Sequence, residues 1–220
     1  TRPDAWIAAF SFAVVGFGLK IGFPPFHAWL PEAHPAAPAP ASAIMSGAMI
    51  PLGFFGILKF FPIARLSSFD AQVYGWTLLA LGAIGAVGGI LFSLPQSNLK
   101  RLLAFSSVEN MGVVSMGIGL GAVLYARGDF TPPALLSIAG ALVHILNHAF
   151  LKGALFLGAG SVLRQTGTLD QDRLGGLLRR MPFTGSLFTV NAFALAGLPP
   201  LNGFMGELAI YVSAFLAINT

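Results

Sequence analysis

Between Asp70 and Lys100 the chain places no charged side chain, and the middle of that interval reads LLALGAIGAVGGILF. A run of about twenty apolar residues, coiled as a helix, matches the thickness of a bilayer's hydrocarbon core. Comparable runs recur along the whole of the 220 residues, so the chain is read as an all-α polytopic membrane protein. Composition agrees: 55% of residues are hydrophobic and 9% are charged, where a soluble domain carries about a quarter charged. The 27 glycines and 15 prolines do not oppose helices here, because both residues are commoner in membrane helices than in soluble ones.

Several function classes drop out at this level. The chain has no cysteine, which excludes disulfides, zinc-thiolate sites and cysteine-ligated iron–sulfur clusters within it. No P-loop, dinucleotide fingerprint or serine triad is present, and no cofactor ligands are found. The formal charge of +4 reads as basic loops on one membrane face, with lipid rather than nucleic acid as the surrounding partner. The chain opens on TRPDAW without Met, shows no signal peptide, and reads as a single membrane domain over 1–220, a piece of a longer chain.

Six spans are predicted. The first runs over residues 5–23 and carries Lys20 near its end; it meets Pro24 and Pro25, then a short amphipathic piece, FHAWLPEAH. PAAPAPA follows as a loop, where prolines are expected to exclude regular helix. The second span covers 42–61 and contains Pro51, and the third, over 73–94, has the glycine and alanine content that suits close helix packing. Asn98 is placed to cap the fourth span, over 102–125, which holds Glu109 and Asn110. The fifth covers 133–163. The sixth starts near Phe183, is interrupted by GLPPLNG, and resumes with FMGELAIYVSAFLA. Lys100, Arg101, Arg164, Arg173, Arg179 and Arg180 fall on one side, against Arg2, Lys59, Arg65 and Arg127 on the other, which places the first group in the cytoplasm. The first and sixth elements share a plan of apolar helix, Pro-Pro break and one ionisable residue beside the break. Paired broken helices of this kind mark ion sites near the bilayer midplane in repeat-built transporters.

The charges inside the spans carry the chemistry. In HILNHAFLKG, His144, His148 and Lys152 stand four residues apart, so a helix stacks them on one side. Each bears a desolvation cost in a membrane, and neutral histidines can relay protons through their two ring nitrogens. A zinc site is the competing reading of paired histidines, opposed by the cation at Lys152 and the need for a third ligand. Lys20 is either a snorkelling lysine or one whose burial lets it exchange a proton. Glu207 is either an N-terminal helix charge or a buried titratable group paired with Lys152 or another cation. Glu109 divides evenly between a polar packing contact with Asn110 and a transfer role. Glu32, Asp170 and Asp172 are expected in solvated loops, and His27 and His34 carry no particular role.

Four ordered segments, LKIGFPPFHAWLPEAHPAAPAPASAIMSG, LKRLLAFSSVENMG, HILNHAFLKGALFLGAGSV and ALAGLPPLNGFMGELAIY, together resemble one family. It is that of the antiporter-like membrane subunits of respiratory complex I, Mrp-type cation antiporters and energy-converting hydrogenases. PEAHPAAP and SSVEN look most like the hydrogenase 4 and formate hydrogenlyase membrane subunit. The resemblance implies about fourteen helices in two inverted repeats, each with a broken helix. It further implies proton or sodium translocation in the cell's inner (plasma) membrane, beside other membrane subunits of a redox-driven complex that hold the electron chemistry. By the same resemblance Lys20 matches the lysine on the first broken helix, His144, His148 and Lys152 the histidine–lysine helix, and Glu207 the ionisable residue on the second broken helix. Many relatives carry a lysine or histidine where this chain has Pro51, which cannot titrate. A secondary cation/proton antiporter and a scaffold subunit without transport are the alternative readings.

Overall fold

The computed structural model describes residues 3–66, 71–128 and 131–218. Of the residues used above to weigh orientation, Arg2 and the Arg65 side chain lie outside the described part. The helices are α1 (Pro3–Ile21), α2 (Leu30–Ala36), α3 (Ala39–Ile44), α4 (Ile50–Leu66), α5 (Ala71–Ser93), α6 (Leu99–Gly128), α7 (Pro132–Thr166), α8 (Leu177–Arg180), α9 (Pro182–Leu195) and α10 (Asn202–Ile218). Among the described residues there is no strand beyond an isolated bridge between Asn98 and Asp170. Five helical stretches are long and apolar enough to cross a bilayer, and the sixth span of the sequence reading is the pair α9 and α10.

Both predicted breaks are present and are built alike. The first reads Gly22-Phe23-Pro24-Pro25 and the second Gly197-Leu198-Pro199-Pro200. In each the glycine has positive φ (84° and 69°) and the Pro-Pro bond is cis. A left-handed backbone position costs a residue with a Cβ but not glycine, and proline has no N–H with which to continue a helix. The two chemistries together stop the helix and turn the chain.

PAAPAPA does not form the loop expected. α2 runs through Pro35 to Ala36, and α3 begins at Ala39, so only Ala37 and Pro38 are extended. The prolines act mainly at helix starts: Pro31 and Pro40 lie in the first turns of α2 and α3, where a missing N–H has no intrahelical acceptor to lose. α3 then continues into α4 through a π turn, Met45–Met49, in which Ile50 donates to Met45 O. Pro51 follows at once. It has no N–H for Gly47 O, and Ile50 N–H is diverted from Ser46 O, so this turn lacks the usual α-helical donors to two carbonyls.

α5 and α6 pack backbone to backbone. A Cβ on Gly82 would lie 2.7 Å from Gly112 O, and one on Gly75 2.8 Å from Gly119 O. Gly89 presses in the same way on the backbone of Glu109. The repeat of seven puts these glycines on one stripe, and small residues there allow the helix axes to approach closely. α6 is the innermost helix: 83% of its apolar window is buried, against 28% for α5, whose outer side carries Trp76, Ile84, Val87 and Leu91. At one end the loops join, with Leu99 N donating to Leu169 O (3.0 Å) and Gln171 N to Ser97 O (2.8 Å). The starts of α6 and of the segment after α7 therefore share a membrane face, the face assigned above from its basic residues.

Candidate functional site

α7 presents His144, His148 and Lys152 along one side, and all three are buried between helices. The lysine is 0% exposed. Its ammonium donates to Leu103 O at 2.7 Å and to the Ser106 hydroxyl, both on α6. Leu103 O also accepts from Ser107 Oγ, which lies 2.9 Å from Ser46 Oγ in the π turn. Gly47 in that turn packs on Ala149 O, one residue after His148, so the π turn lies against α7 beside the row of basic groups.

A carboxylate completes the arrangement. Glu109 on α6 lies among the helices, not at the membrane surface, and its charge is within electrostatic reach of Lys152 and of Glu207. Asn110 Nδ2 donates to Glu109 Oε2 and to Ser106 O, while Asn110 Oδ1 is 3.0 Å from His144 Nε2. With the amide nitrogen committed to Glu109, the oxygen faces the ring, and His144 Nε2–H is the donor. His144 also packs against Gly203 and Gly206 of α10. Both ring nitrogens of His148 are without a hydrogen-bond partner.

Of the readings open for Glu207, a pairing with Lys152 is not formed among the described residues. It stands on the second turn of α10, and its carboxylate lies over Gly197 in the break, where a Cβ would be 2.6 Å from Oε2. The start of α10 is fixed by Asn147 of α7, which donates to Asn202 O at 2.7 Å and accepts from Asn202 Nδ2. Among the described residues the one ion pair is Arg101 with Glu32, at 2.6 Å on the surface. Lys152 is held instead by Leu103 O and Ser106 Oγ of α6, with Glu109 as the carboxylate whose charge acts on it. Lys20, on the last turn of α1, is exposed and forms no hydrogen bond or ion pair among the described residues. It is not brought to the α7 row.

Two further residues depart from their expected places. Lys100, counted above as a loop charge, is 2% exposed and donates to Ala37 O at 2.7 Å, satisfying a carbonyl left open where α2 ends. His34 is fully buried and stacks on Phe156 of α7. Asn98 acts as expected, its Oδ1 accepting from Lys100 N and Arg101 N. Glu109 could be suspected in the sequence from its place beside Asn110 in an apolar run, whereas Ser46, Asn147 and His34 gave no local signal.

The chain matches the family model described as "NADH:quinone oxidoreductase/Mrp antiporter, TM" over residues 4–219. Hydrogenase-4 component B of Escherichia coli is 43% identical over 215 residues, 97% of this chain and 32% of that protein. A chain of the Mrp complex from Dietzia sp. superposes with a TM-score of 0.81 at 25% identity, covering 97% of this chain and 37% of that one. A chain of respiratory complex I from Thermus thermophilus gives 0.79 at 28% identity, covering 99% and 44%. The sequence thus spans about a third of the length of the curated relative.

Proposed function

The chain belongs to the family of NADH:quinone oxidoreductase and Mrp antiporter membrane subunits, and on that premise we propose that it moves protons across the bilayer within a larger redox-driven membrane complex. The observation that carries this reading is Lys152. A fully buried lysine, bonded to one carbonyl and one hydroxyl and facing a carboxylate from a neighbouring helix, is costly in a membrane unless its charge is used. Imidazole and ammonium groups in a row exchange protons.

The chain's own residues then do the following. Lys152 holds a proton while Glu109 is ionised, with Leu103 O and Ser106 Oγ orienting the ammonium. Protonation of Glu109 removes the opposing charge and lowers the hold of Lys152 on its own proton. Two unit charges about 8 Å apart at an effective dielectric of about 20 couple by about 2 kcal/mol, more than one pKa unit. Asn110 ties Glu109 to His144, and Glu207 lies within reach of Glu109, giving a transfer line from Lys152 through His148 and His144 toward the second break. Lys20 acts in the other half of the family fold, and the electron chemistry resides in partner subunits. The test is Lys152→Ala in the full-length subunit within its complex, reconstituted in liposomes with an internal pH dye. Assembly should survive and proton movement should be lost; full coupled pumping by the variant would sink the reading.

A further inference from the structure

The row His144, His148, Lys152 has a next position four residues on, and it is Phe156. The face of that ring is covered by the imidazole of His34, at 4.5 Å between centroids and an interplanar angle of 13°. An imidazole from α2 therefore occupies the place, one helical turn or about 5.4 Å along the axis from Lys152, where α7 itself has none. His34 is 0% exposed and both its ring nitrogens lack a partner. Burying two unsatisfied nitrogens is unfavourable, and a pair of bridging waters would remove that cost.

Lys100 holds Ala37 O, three residues along the chain from His34, and its neighbour Arg101 pairs with Glu32 at the surface. The charges of Lys152 and of Lys100 both act on His34. On the inner side, Ser107 Oγ shares Leu103 O with the Lys152 ammonium and meets Ser46 Oγ of the π turn.

We propose that His34 is a proton-transfer residue that connects Lys152 to the basic membrane face carrying Lys100 and Arg101, through water held between its ring nitrogens, the π turn and the lysines. The inference rests on the transport reading above and extends it with a route on the side away from Glu207. The Lys152 ammonium gives a proton to a bridging water as that water gives one to a ring nitrogen, and the other ring nitrogen releases its proton to water on the Lys100 side. Lys152 ends neutral, the ring ends neutral in its other tautomer, and one proton has passed. Lys100 closes the outer end in this structure, its ammonium pinned where α2 stops.

The experiment uses the complex with its full-length subunit in liposomes, a potassium diffusion potential as the driving force, and three proteins: wild type, His34→Phe and Lys152→Ala. Phenylalanine keeps the stack on Phe156 and removes both nitrogens. His34→Phe should retain its thermal midpoint and assembly and lose at least about tenfold in proton flux, the scale of a missing acid–base group. Wild-type flux in His34→Phe with loss in Lys152→Ala overturns the His34 route and leaves the transport reading standing. Wild-type flux in both overturns the transport reading itself. Should His34→Phe fail to assemble, a density map of the wild-type complex that resolves water decides: ordered water on the His34 nitrogens supports the route, and a dry ring overturns it.

Discussion

Glu109 on α6 and Lys152 on α7 form no direct ion pair, and on the proposed route that spacing lets either change charge. A contact pair in a low-dielectric interior is hard to neutralise, whereas one linked through Ser106 and Asn110 is coupled and still able to titrate. Glu109→Gln keeps the hydrogen bond with Asn110 and removes the charge. It is expected to leave assembly intact and to reduce proton flux by about a hundredfold; near-normal flux per assembled complex would assign Glu109 to packing alone. At this scale the α7 row was legible because spacing of four is a local property of a helix. Glu109 was half legible. His34 was not, since nothing in a proline-rich segment indicates which ring of a distant helix it will cover.

The elements were legible where proline and glycine act together and misread where proline acts alone. Both breaks follow from Gly-x-Pro-Pro, with the glycine at positive φ. PAAPAPA was read as loop because prolines were counted without their positions, although first-turn prolines favour a helix. The π turn before Pro51 belongs to this scale too. Pro51→Ala restores an N–H that Gly47 O can accept. The variant should melt higher, by an amount that reflects up to about 3 kcal/mol, and should move protons more slowly as the π turn packed on α7 closes into regular helix. Unchanged flux with a higher melting temperature would detach the π turn from transport.

The whole molecule is organised around α6, which is sheathed by α5 through the glycine stripe and carries Ser106, Glu109 and Asn110 on the side that meets α7. Gly82→Leu would push a side chain into Gly112 O and Met116 N, backbone atoms that cannot yield. Overpacking of this sort costs at least about 1–3 kcal/mol, and the expected outcome is loss of the subunit from membranes. Gly88→Leu, six residues further on and facing only Phe92 at 4.0 Å, should be tolerated; equal abundance of the two variants would show that the stripe does not set the packing. The seam has a consequence in volts. Because α6 cannot slide along α5 without driving a Cβ into backbone, Glu109 is held at one depth, about 15 Å from the helix start and about halfway through a hydrocarbon core of about 30 Å. One elementary charge crossing 100 mV exchanges about 2.3 kcal/mol, so a proton resting at this carboxylate has met about half of the membrane potential. On the proposed route the work of transport is thereby divided into two legs of about equal size, and the division is set by the glycines of a helix outside the α7 row.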